Sequence, residues 1–213
     1  MIRADLHVHT CYSGDSKTTL QQAIVRCQQA GISCLAVTDH NRIAGALEMQ
    51  RIAPFRVIVS EEIHTSTGEV IGFFMQEEIP KGLPVDETVR RIKEQGGLVG
   101  VPHPFDNLRQ SALQRGSLEQ ILPYIDIIEI FNARVILGRH NTMAERFARE
   151  HGLAASAGSD AHTVNEIGSA YVEMPDFDTP EGFLASLSQG KVVGRISPPW
   201  VHIWSSWSRL KRW

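Results

Sequence analysis

Histidines and carboxylates recur in this sequence where predicted β-strands end. The first fifteen residues read M-I-R-A-D-L-H-V-H-T-C-Y-S-G-D, with Asp5, His7 and His9 at alternate positions. Because successive side chains of a strand point to opposite faces, these three would share one face, with Leu6 and Val8 on the other. Two imidazoles flanked by carboxylates are typical of a metal site. Hydrogen-bonded core histidines are the alternative interpretation.

Further ligand-type residues follow the later apolar runs, which read S-C-L-A-V-T, F-R-V-I-V-S and L-V-G-V. Five of the nine histidines fall in such strand-end clusters, together with several carboxylates. The combined set is too large for one tetrahedral zinc ion. Imidazole with carboxylate suits Mn, Fe or Zn, and several neighbouring ions suit phosphoryl transfer. The candidate metal ligands are His7, His9, Asp15, His40, Glu62, Glu69, His103, Asp160 and His162.

The elements that must position these residues alternate between strand and helix. Helical spacing of apolar residues occurs at 18–30, 43–52, 85–95 and 141–151. Alternation of this kind predicts right-handed β-α-β units and a parallel sheet, whose strand ends meet at one mouth if the sheet closes. We therefore predict a single α/β domain, a distorted (β/α)7 TIM-like barrel. An open doubly wound sheet is the alternative, but no Gly-rich phosphate loop follows the first strand.

Composition narrows the classes of partner and compartment. The net charge is −3 at pH 7, so stable binding of duplex nucleic acid is not expected, whereas a nucleotide substrate remains possible. Cys11, Cys27 and Cys34 show no C-x-x-C spacing, which argues against a disulfide framework or a zinc finger. No apolar run approaches the ~20 residues of a membrane span, and no leader-like segment precedes the first strand. We expect a soluble, cytoplasmic protein of undetermined oligomeric state.

Five ordered segments resemble the polymerase and histidinol phosphatase (PHP) family of metal-dependent phosphoesterases. They are D-L-H-V-H-T at 5–10, T-D-H-N at 38–41, E-E-I at 61–63, P-H-P at 102–104 and G-S-D-A-H at 158–162. The resemblance covers residues 1–194 and implies a distorted seven-stranded barrel with two to three divalent ions (Mn, Fe or Zn) at its mouth. Residues 195–213 are predicted to form an aromatic and basic tail packed on the barrel. An amphipathic membrane anchor is the alternative for that tail.

The resemblance also implies how the ligands divide among the ions. It assigns His7, His9, Glu62 and Asp160 to the first ion, Glu62 and His103 to a second ion bridged to the first, and Asp15, His40 and His162 to a third.

One position departs from the family pattern. Many members have a histidine in an H-x-L-G segment after a hairpin, where this chain reads Glu69-Val70-Ile71-Gly72. Glu69 can still ligate the second ion, and its oxygen would favour Mn or Fe(II) over Zn. An exposed hairpin glutamate, with the second ion weakly held, is the alternative.

The chemistry implied is hydrolysis of a phosphate ester by a hydroxide that bridges two ions and attacks phosphorus in line. Arg134 is the candidate phosphate clamp, since its planar fork can bind two oxygens; a surface arginine is the alternative. Asp39 is predicted to orient a metal ligand. Asp106, Asn132 and His64 are weaker site candidates.

The favoured substrate is a small phosphorylated molecule, either a nucleotide or the phosphate at an oligonucleotide end. A histidinol-phosphate-type small-molecule phosphatase is the first alternative, followed by an amidohydrolase-like C–N hydrolase. A catalytically silent metal-binding scaffold is the alternative from a different functional class.

Overall fold

The computed structural model describes residues 1–198, which form nine strands and six α-helices. The strands are β1 (Ile2–Val8), β2 (Cys34–Val37), β3 (Arg56–Thr65), β4 (Gly68–Phe73), β5 (Leu98–Val101), β6 (Ile127–Asn132), β7 (Ala154–Gly158), β8 (Ala170–Met174) and β9 (Lys191–Gly194). The helices are α1 (Leu20–Ala30), α2 (Ala44–Ile52), α3 (Val85–Glu94), α4 (Arg115–Ile121), α5 (Arg139–His151) and α6 (Pro180–Ser188). Most of the predicted tail, 199–213, lies outside the described residues, so its packing and the domain boundary at 194 stay predictions.

The strands form one mixed sheet in the order β7-β6-β5-β4-β3-β2-β1-β8-β9. Strands β1, β2 and β3 run parallel to one another, and so do β5, β6 and β7. Strand β4 lies between these two groups and is antiparallel to β3 and to β5. The sheet curls until β7 meets β1, where the Asp160 N–H donates to the His7 carbonyl at 2.8 Å and the His9 N–H donates to the Ala161 carbonyl at 2.9 Å. The fold is thus a nearly closed, distorted TIM-like barrel, which confirms the predicted class.

Strand β8 was not identified from the sequence. It pairs antiparallel with β1, with Ile2 opposite Met174. Its buried residues Ala170, Val172 and Met174 alternate with the partly exposed Tyr171 and Glu173. That period of two is the signal that predicts a half-buried strand.

Apolar residues fill the barrel away from the histidines. One cluster joins helices α1 to α5 to the outer face of the strands. A second cluster fills the interior and includes Phe73 and Phe183, whose ring centroids lie 6.1 Å apart. Phe73 ends β4, which runs against its neighbours, so this aromatic cluster closes the end of the barrel opposite the carboxyl ends of the parallel strands. The polar residues are thereby confined to one mouth.

Two sequence expectations concern the environment of the chain. Cys11, Cys27 and Cys34 are all free thiols. Within residues 1–198, no helix is long and apolar enough to cross a membrane. The cytoplasmic location stays a prediction.

Candidate metal centre

All nine predicted ligands converge at the mouth formed by the strand ends. The structure groups their ligand atoms, together with one from His64, into four overlapping clusters in which the atoms lie within 4.8 Å of one another. The clusters are His9, Asp15, His40 and His162; His7, Glu62 and His103; His7, His9 and Asp160; and His40, His64 and Glu69. The first three are close to the division implied by the resemblance, with three differences: His9 joins the cluster of Asp15, His7 joins that of His103, and Glu62 is not grouped with His9 and Asp160.

Glu62 occupies the middle of the centre. Its Oε1 lies 3.2 Å from Nε2 of His103 and 3.4 Å from Nε2 of His7. Its Oε2 lies 3.1 Å from Nδ1 of His40 and 3.3 Å from Nε2 of His9. Each oxygen of this buried carboxylate therefore faces two imidazoles, the arrangement suited to a carboxylate that bridges two ions.

Glu129 on β6 orients the imidazole of His7 through a hydrogen bond, a role that the sequence analysis did not identify. Nδ1 of His7 lies 3.0 Å from Oε1 of Glu129. Because a carboxylate only accepts hydrogen bonds, the His7 proton belongs on Nδ1, which leaves the Nε2 lone pair for a metal. Oε2 of Glu129 accepts from the backbone N–H of His103 at 2.8 Å and from Nδ2 of Asn132 at 2.9 Å. The available signal was a carboxylate inside the buried run D-I-I-E-I-F.

Replacing Glu129 by glutamine is expected to weaken metal binding by about ten- to a hundredfold, as for other partners of metal-bound histidines. The amide keeps one acceptor and gains a donor, so His7 and the His103 N–H cannot both be satisfied. Competition with a chromogenic chelator measures the change in affinity. Glu119→Gln on the exposed face of α4 is the matched control, and equal affinities of the two variants would refute the role of Glu129.

Two of the ligands have unusual backbone torsions. His103 has φ of 30° and Asp160 has φ of 52°, both in the region that residues with a Cβ rarely adopt. Each such torsion costs about 1–3 kcal/mol unless the surroundings enforce it, and such residues concentrate at functional sites. Here the His103 N–H donates to Glu129 and the Asp160 N–H donates to the His7 carbonyl, and these two hydrogen bonds hold the two residues in their unusual torsions.

The charges of the centre are strongly coupled. Burial alone would lower the pKa of His40, but the carboxylates of Glu62, Asp15 and Glu69 outweigh burial and raise it from 6.5 to about 9. Burial would also lower the pKa of His7, but the carboxylates of Glu62, Glu129 and Asp160 outweigh burial and raise this pKa well above its usual range. Burial, with His162 and His40 nearby, lowers the pKa of His9 to about 4.

These pKa values predict proton release on metal binding. At neutral pH the metal-free protein carries protons on His7 and His40, whereas ligation needs neutral imidazole. Affinity for Mn²⁺ should therefore rise as the pH increases towards about 9, the pKa of His40, by up to about tenfold per unit for that proton, and displacement of the His7 proton should steepen the rise. The contacts of protonated His40 stabilise the metal-free fold fully below about pH 6.5, and that stability is lost as the pH rises through about 9. A chelator competition series would measure this, and an affinity that does not change with pH would contradict it.

The residues fit divalent metal ions. Three buried atoms of the centre make no hydrogen bond to any described residue, namely Nδ1 of His40, Nδ1 of His103 and Oδ1 of Asp160. Unsatisfied buried polar atoms cost free energy, and a bound cation would satisfy acceptor atoms of this kind. Imidazole nitrogens combined with carboxylate oxygens are the donors that Mn, Fe and Zn take.

Glu69 is turned into the centre and buried, which rules out the exposed hairpin glutamate. Its Oε1 lies 3.0 Å from Nε2 of His64, and its Oε2 lies 3.6 Å from Nε2 of His103. His64, a weaker candidate from the sequence, thus stands beside Glu69 at the rim. Ligation by Glu69 itself stays a prediction.

The two other predicted site residues lie in different settings. Arg134 is buried, so it is not a surface arginine, and its Nη1 lies 3.5 Å from both Oε1 of Glu166 and the carbonyl of Asp160. Its role as a phosphate clamp stays a prediction. Asp39 accepts from the backbone N–H and the hydroxyl of Thr10, each at 2.6 Å. Its carboxylate thus fixes the turn after β1, with no hydrogen bond to a ligand side chain among the described residues.

Asp5 does not share the ligand face. The pairing of β1 with β2 shifts register between Asp5 and Val8, so the simple alternation of side chains fails there. The Asp5 carboxylate instead accepts from the N–H groups of Ser159 and Gly168, each at 2.9 Å. It secures the loop that carries Asp160 and His162.

Arg109 is a second residue that the sequence did not single out. It lies on the loop after β5, and its Nη1 donates to Oδ2 of Asp160 at 2.6 Å. Burial opposes the ionisation of Asp160, but Arg109 and His7 hold the pKa of that carboxyl well below its usual range.

Sequence comparison finds relatives over most of the chain. The PHP domain profile matches residues 5–122, and a PHP-associated profile matches residues 138–192. An uncharacterized protein of Methanocaldococcus jannaschii is 36% identical over 193 residues, which cover 86% of this chain and 78% of that protein.

Solved structures share the fold at low identity. PsfC from Pseudomonas syringae is similar with a TM-score of 0.71 and 16% identity, over 99% of this chain and 99% of PsfC. A two-domain protein of Bacteroides vulgatus that contains a predicted PHP-like metal-dependent phosphoesterase has a TM-score of 0.71 and 14% identity, over 91% of this chain and 65% of that protein. Identities this low show a common fold alone.

Proposed function

The chain belongs to the PHP domain family, and from that premise we propose that it hydrolyses phosphate esters at its multi-metal centre. The observation that carries the proposal is the position of Glu62, whose two oxygens each face two imidazoles within 3.4 Å. Nine predicted ligands, all buried except the partly exposed His40, around one shared carboxylate support an enzyme over a silent scaffold.

The ligands would be those implied by the resemblance: His7, His9, Glu62 and Asp160 for one ion, His103 with Glu69 and Glu62 for a second, and Asp15, His40 and His162 for a third. Bound divalent ions would supply an activated water and neutralise the charge that develops on phosphate oxygens. Glu129 would keep the His7 proton on Nδ1, and the Asp160 carbonyl would do the same for His162, whose Nδ1 lies 2.8 Å away. The chain thereby presents the Nε2 lone pairs of both rings to the centre.

The metal is proposed to be Mn or Fe(II) in preference to Zn. The buried carboxylate of Glu69 offers an anionic oxygen where many relatives offer an imidazole nitrogen. Oxygen donors suit the harder ions.

The substrate is proposed to be small, with nucleotides and oligonucleotide ends favoured. Buried Arg134 supplies positive charge beside His162, as a phosphate-binding mouth requires, and its charge contributes to the lowered pKa of His162 after the larger effect of burial. Histidinol phosphate and similar amino-alcohol phosphates are the alternative substrates. Stable duplex binding is not proposed.

The proposal is tested by hydrolysis of an aryl phosphate with added Mn²⁺. We expect turnover that disappears on chelation, returns with metal, and falls in His7→Ala by more than the ten- to hundredfold typical of losing an outer partner of a metal ligand. His151→Ala at the exposed end of α5 is the matched control and should retain full activity. Parallel assays with nucleoside monophosphates, 5′-phosphorylated oligonucleotides and histidinol phosphate would rank the substrates.

Absence of turnover with every ester, despite full metal loading, would refute the enzyme and favour the scaffold. Turnover of an amide in place of the phosphate esters would favour the C–N hydrolase.

A further inference from the structure

Ser13 connects ligands that are assigned to two different ions. It is buried in the loop that follows β1. Its Oγ lies 3.4 Å from Nδ1 of His9, donates to Oδ1 of Asp15 at 3.1 Å, and accepts from the backbone N–H of His40 at 3.3 Å. His9 is a predicted ligand of the first ion, whereas Asp15 and His40 are predicted ligands of the third. One hydroxyl group therefore joins the two sites.

The three contacts of Ser13 together place the ring proton of His9. A hydroxyl has one proton to donate, a carboxylate only accepts, and a backbone N–H only donates. The Ser13 proton therefore points to Asp15, so Nδ1 of His9 is the donor in its contact with Oγ of Ser13. The lone pair on Nε2 of His9 is then left for a metal, as in other histidines whose second ring nitrogen donates to a protein acceptor.

The proton of His9 has a competing position on the other ring nitrogen. Nε2 of His9 lies 3.3 Å from Oε2 of Glu62 and 3.5 Å from Oδ1 of Asp160. Both neighbours are carboxylate oxygens, which accept hydrogen bonds and so favour a proton on Nε2, where it would block ligation. The hydroxyl of Ser13 opposes them because it gives Nδ1 a buried acceptor of its own.

The two oxygens of Asp15 divide their contacts in a corresponding way. Oδ1 accepts from Ser13, whereas Oδ2 lies 3.2 Å from Nε2 of His162 and 3.5 Å from Nε2 of His40. The Ser13 hydroxyl thus holds the carboxylate with Oδ2 turned towards the imidazoles of the third site. The ring centroids of His9 and His162 lie 4.3 Å apart, so the first and third sites are adjacent.

We propose that Ser13 is a positioning residue that couples the first and third ion sites, so that occupancy of one raises the affinity of the other. When Nε2 of His9 ligates, its ring proton must lie on Nδ1, which fixes the direction of the Ser13 hydroxyl and thereby the orientation of Asp15. Coupling between two binding sites is reciprocal and typically changes affinity by about 5- to 150-fold. The proposal rests on the multi-metal centre of the proposed function and adds a dependence of one ion on another.

The test measures binding of Mn²⁺ to the metal-free protein by electron paramagnetic resonance, which detects the unbound ion and needs no turnover. We expect cooperative binding by the wild type. Ser13→Ala should bind the last ion about ten- to a hundredfold more weakly and without cooperativity. Ser13→Thr keeps the hydroxyl and should recover both properties. Ser186→Ala is the matched control, because it removes a buried hydroxyl on α6 that donates to the carbonyl of Asp176, and it should bind as the wild type does.

Nitrogen NMR of protein with isotopically labelled histidine gives a second readout, which a loss of packing alone would not change. We expect His9 of the metal-free wild type to carry its proton on Nδ1, and His9 of Ser13→Ala to carry it at least partly on Nε2. Thermal unfolding of the same samples shows whether each variant is folded. Ser13→Cys, with a similar shape and a much weaker donor, provides the same comparison if Ser13→Ala folds poorly.

Four outcomes would overturn the inference. They are independent binding of the ions by the wild type, a Ser13→Ala isotherm that matches that of the wild type, a folded Ser13→Thr that recovers nothing, and a proton on Nε2 of His9 in the wild type. Ester hydrolysis by a wild type that binds its ions independently refutes the inference and keeps the proposed function. Cooperative binding that depends on Ser13, without hydrolysis of any ester, does the reverse.

Discussion

Glu62→Gln is expected to lower kcat for aryl phosphate by about a hundred- to a thousandfold while the chain still folds, a loss typical of removing a group that stabilises charge in an active site. Burial would raise the pKa of Glu62, but His7, His40 and His103 outweigh burial and hold it well below its usual range. The residue is therefore an anion at neutral pH. Glutamine keeps the shape but replaces one oxygen, which faces two imidazoles, with an amide nitrogen that cannot ligate. Steady-state hydrolysis with metal analysis measures the effect.

The neighbouring glutamate on β3 gives the matched control. Glu61 is also buried, but its Oε2 accepts from the Ile79 N–H at 3.0 Å, away from the ligands. Burial raises the pKa of Glu61 to about 7, so its neutral form is already accessible and glutamine imitates that form. Glu61→Gln should retain wild-type kcat within a fewfold. Full activity in Glu62→Gln would remove this carboxylate from the proposed chemistry.

Gly158→Ala is expected to disrupt the centre through the backbone. At this position β7 approaches β1 so closely that an added Cβ would collide with Cβ of His7 and lie 2.9 Å from Oε1 of Glu129. Overpacking of this kind costs about 1–3 kcal/mol of unfolding free energy. For a chain of this size each kcal/mol lowers Tm by about 2–4 °C. Because His7 or Glu129 must shift, metal affinity should fall together with stability.

Gly116→Ala provides a control of opposite sign. Gly116 lies in α4, and no atom lies within 4 Å of the Cβ that would be added there. Alanine should stabilise the helix by up to about 1 kcal/mol and leave metal binding unchanged. Thermal unfolding and metal titration of both variants test this prediction. A Gly158→Ala protein with wild-type Tm and metal affinity would contradict it, because it would show that β7 moves away from His7 without loss of stability.

Most of the predicted ligands could be found from the sequence because they follow or nearly end a parallel strand, and parallel strands deliver their carboxyl ends to one mouth; Glu62 inside β3 and Glu69 at the start of β4 are the exceptions. Glu129 could not, because its role depends on the closure of β7 against β1, which brings it to a histidine 122 positions away. Arg109 lies in a loop with no periodic pattern, and only the folded loop shows that it reaches Asp160. Asp5 was misplaced because the register shift in β1 breaks the alternation on which the prediction depended.

A crystal structure of the protein loaded with Mn²⁺ and phosphate, with anomalous scattering recorded at the manganese edge, tests the central claim most directly. We predict two or three anomalous peaks among His7, His9, Glu62, His103 and Asp160, two of them bridged by Glu62, with a phosphate bound beside them. A single peak, or ions bound only outside this mouth, would contradict a multinuclear centre that hydrolyses phosphate esters.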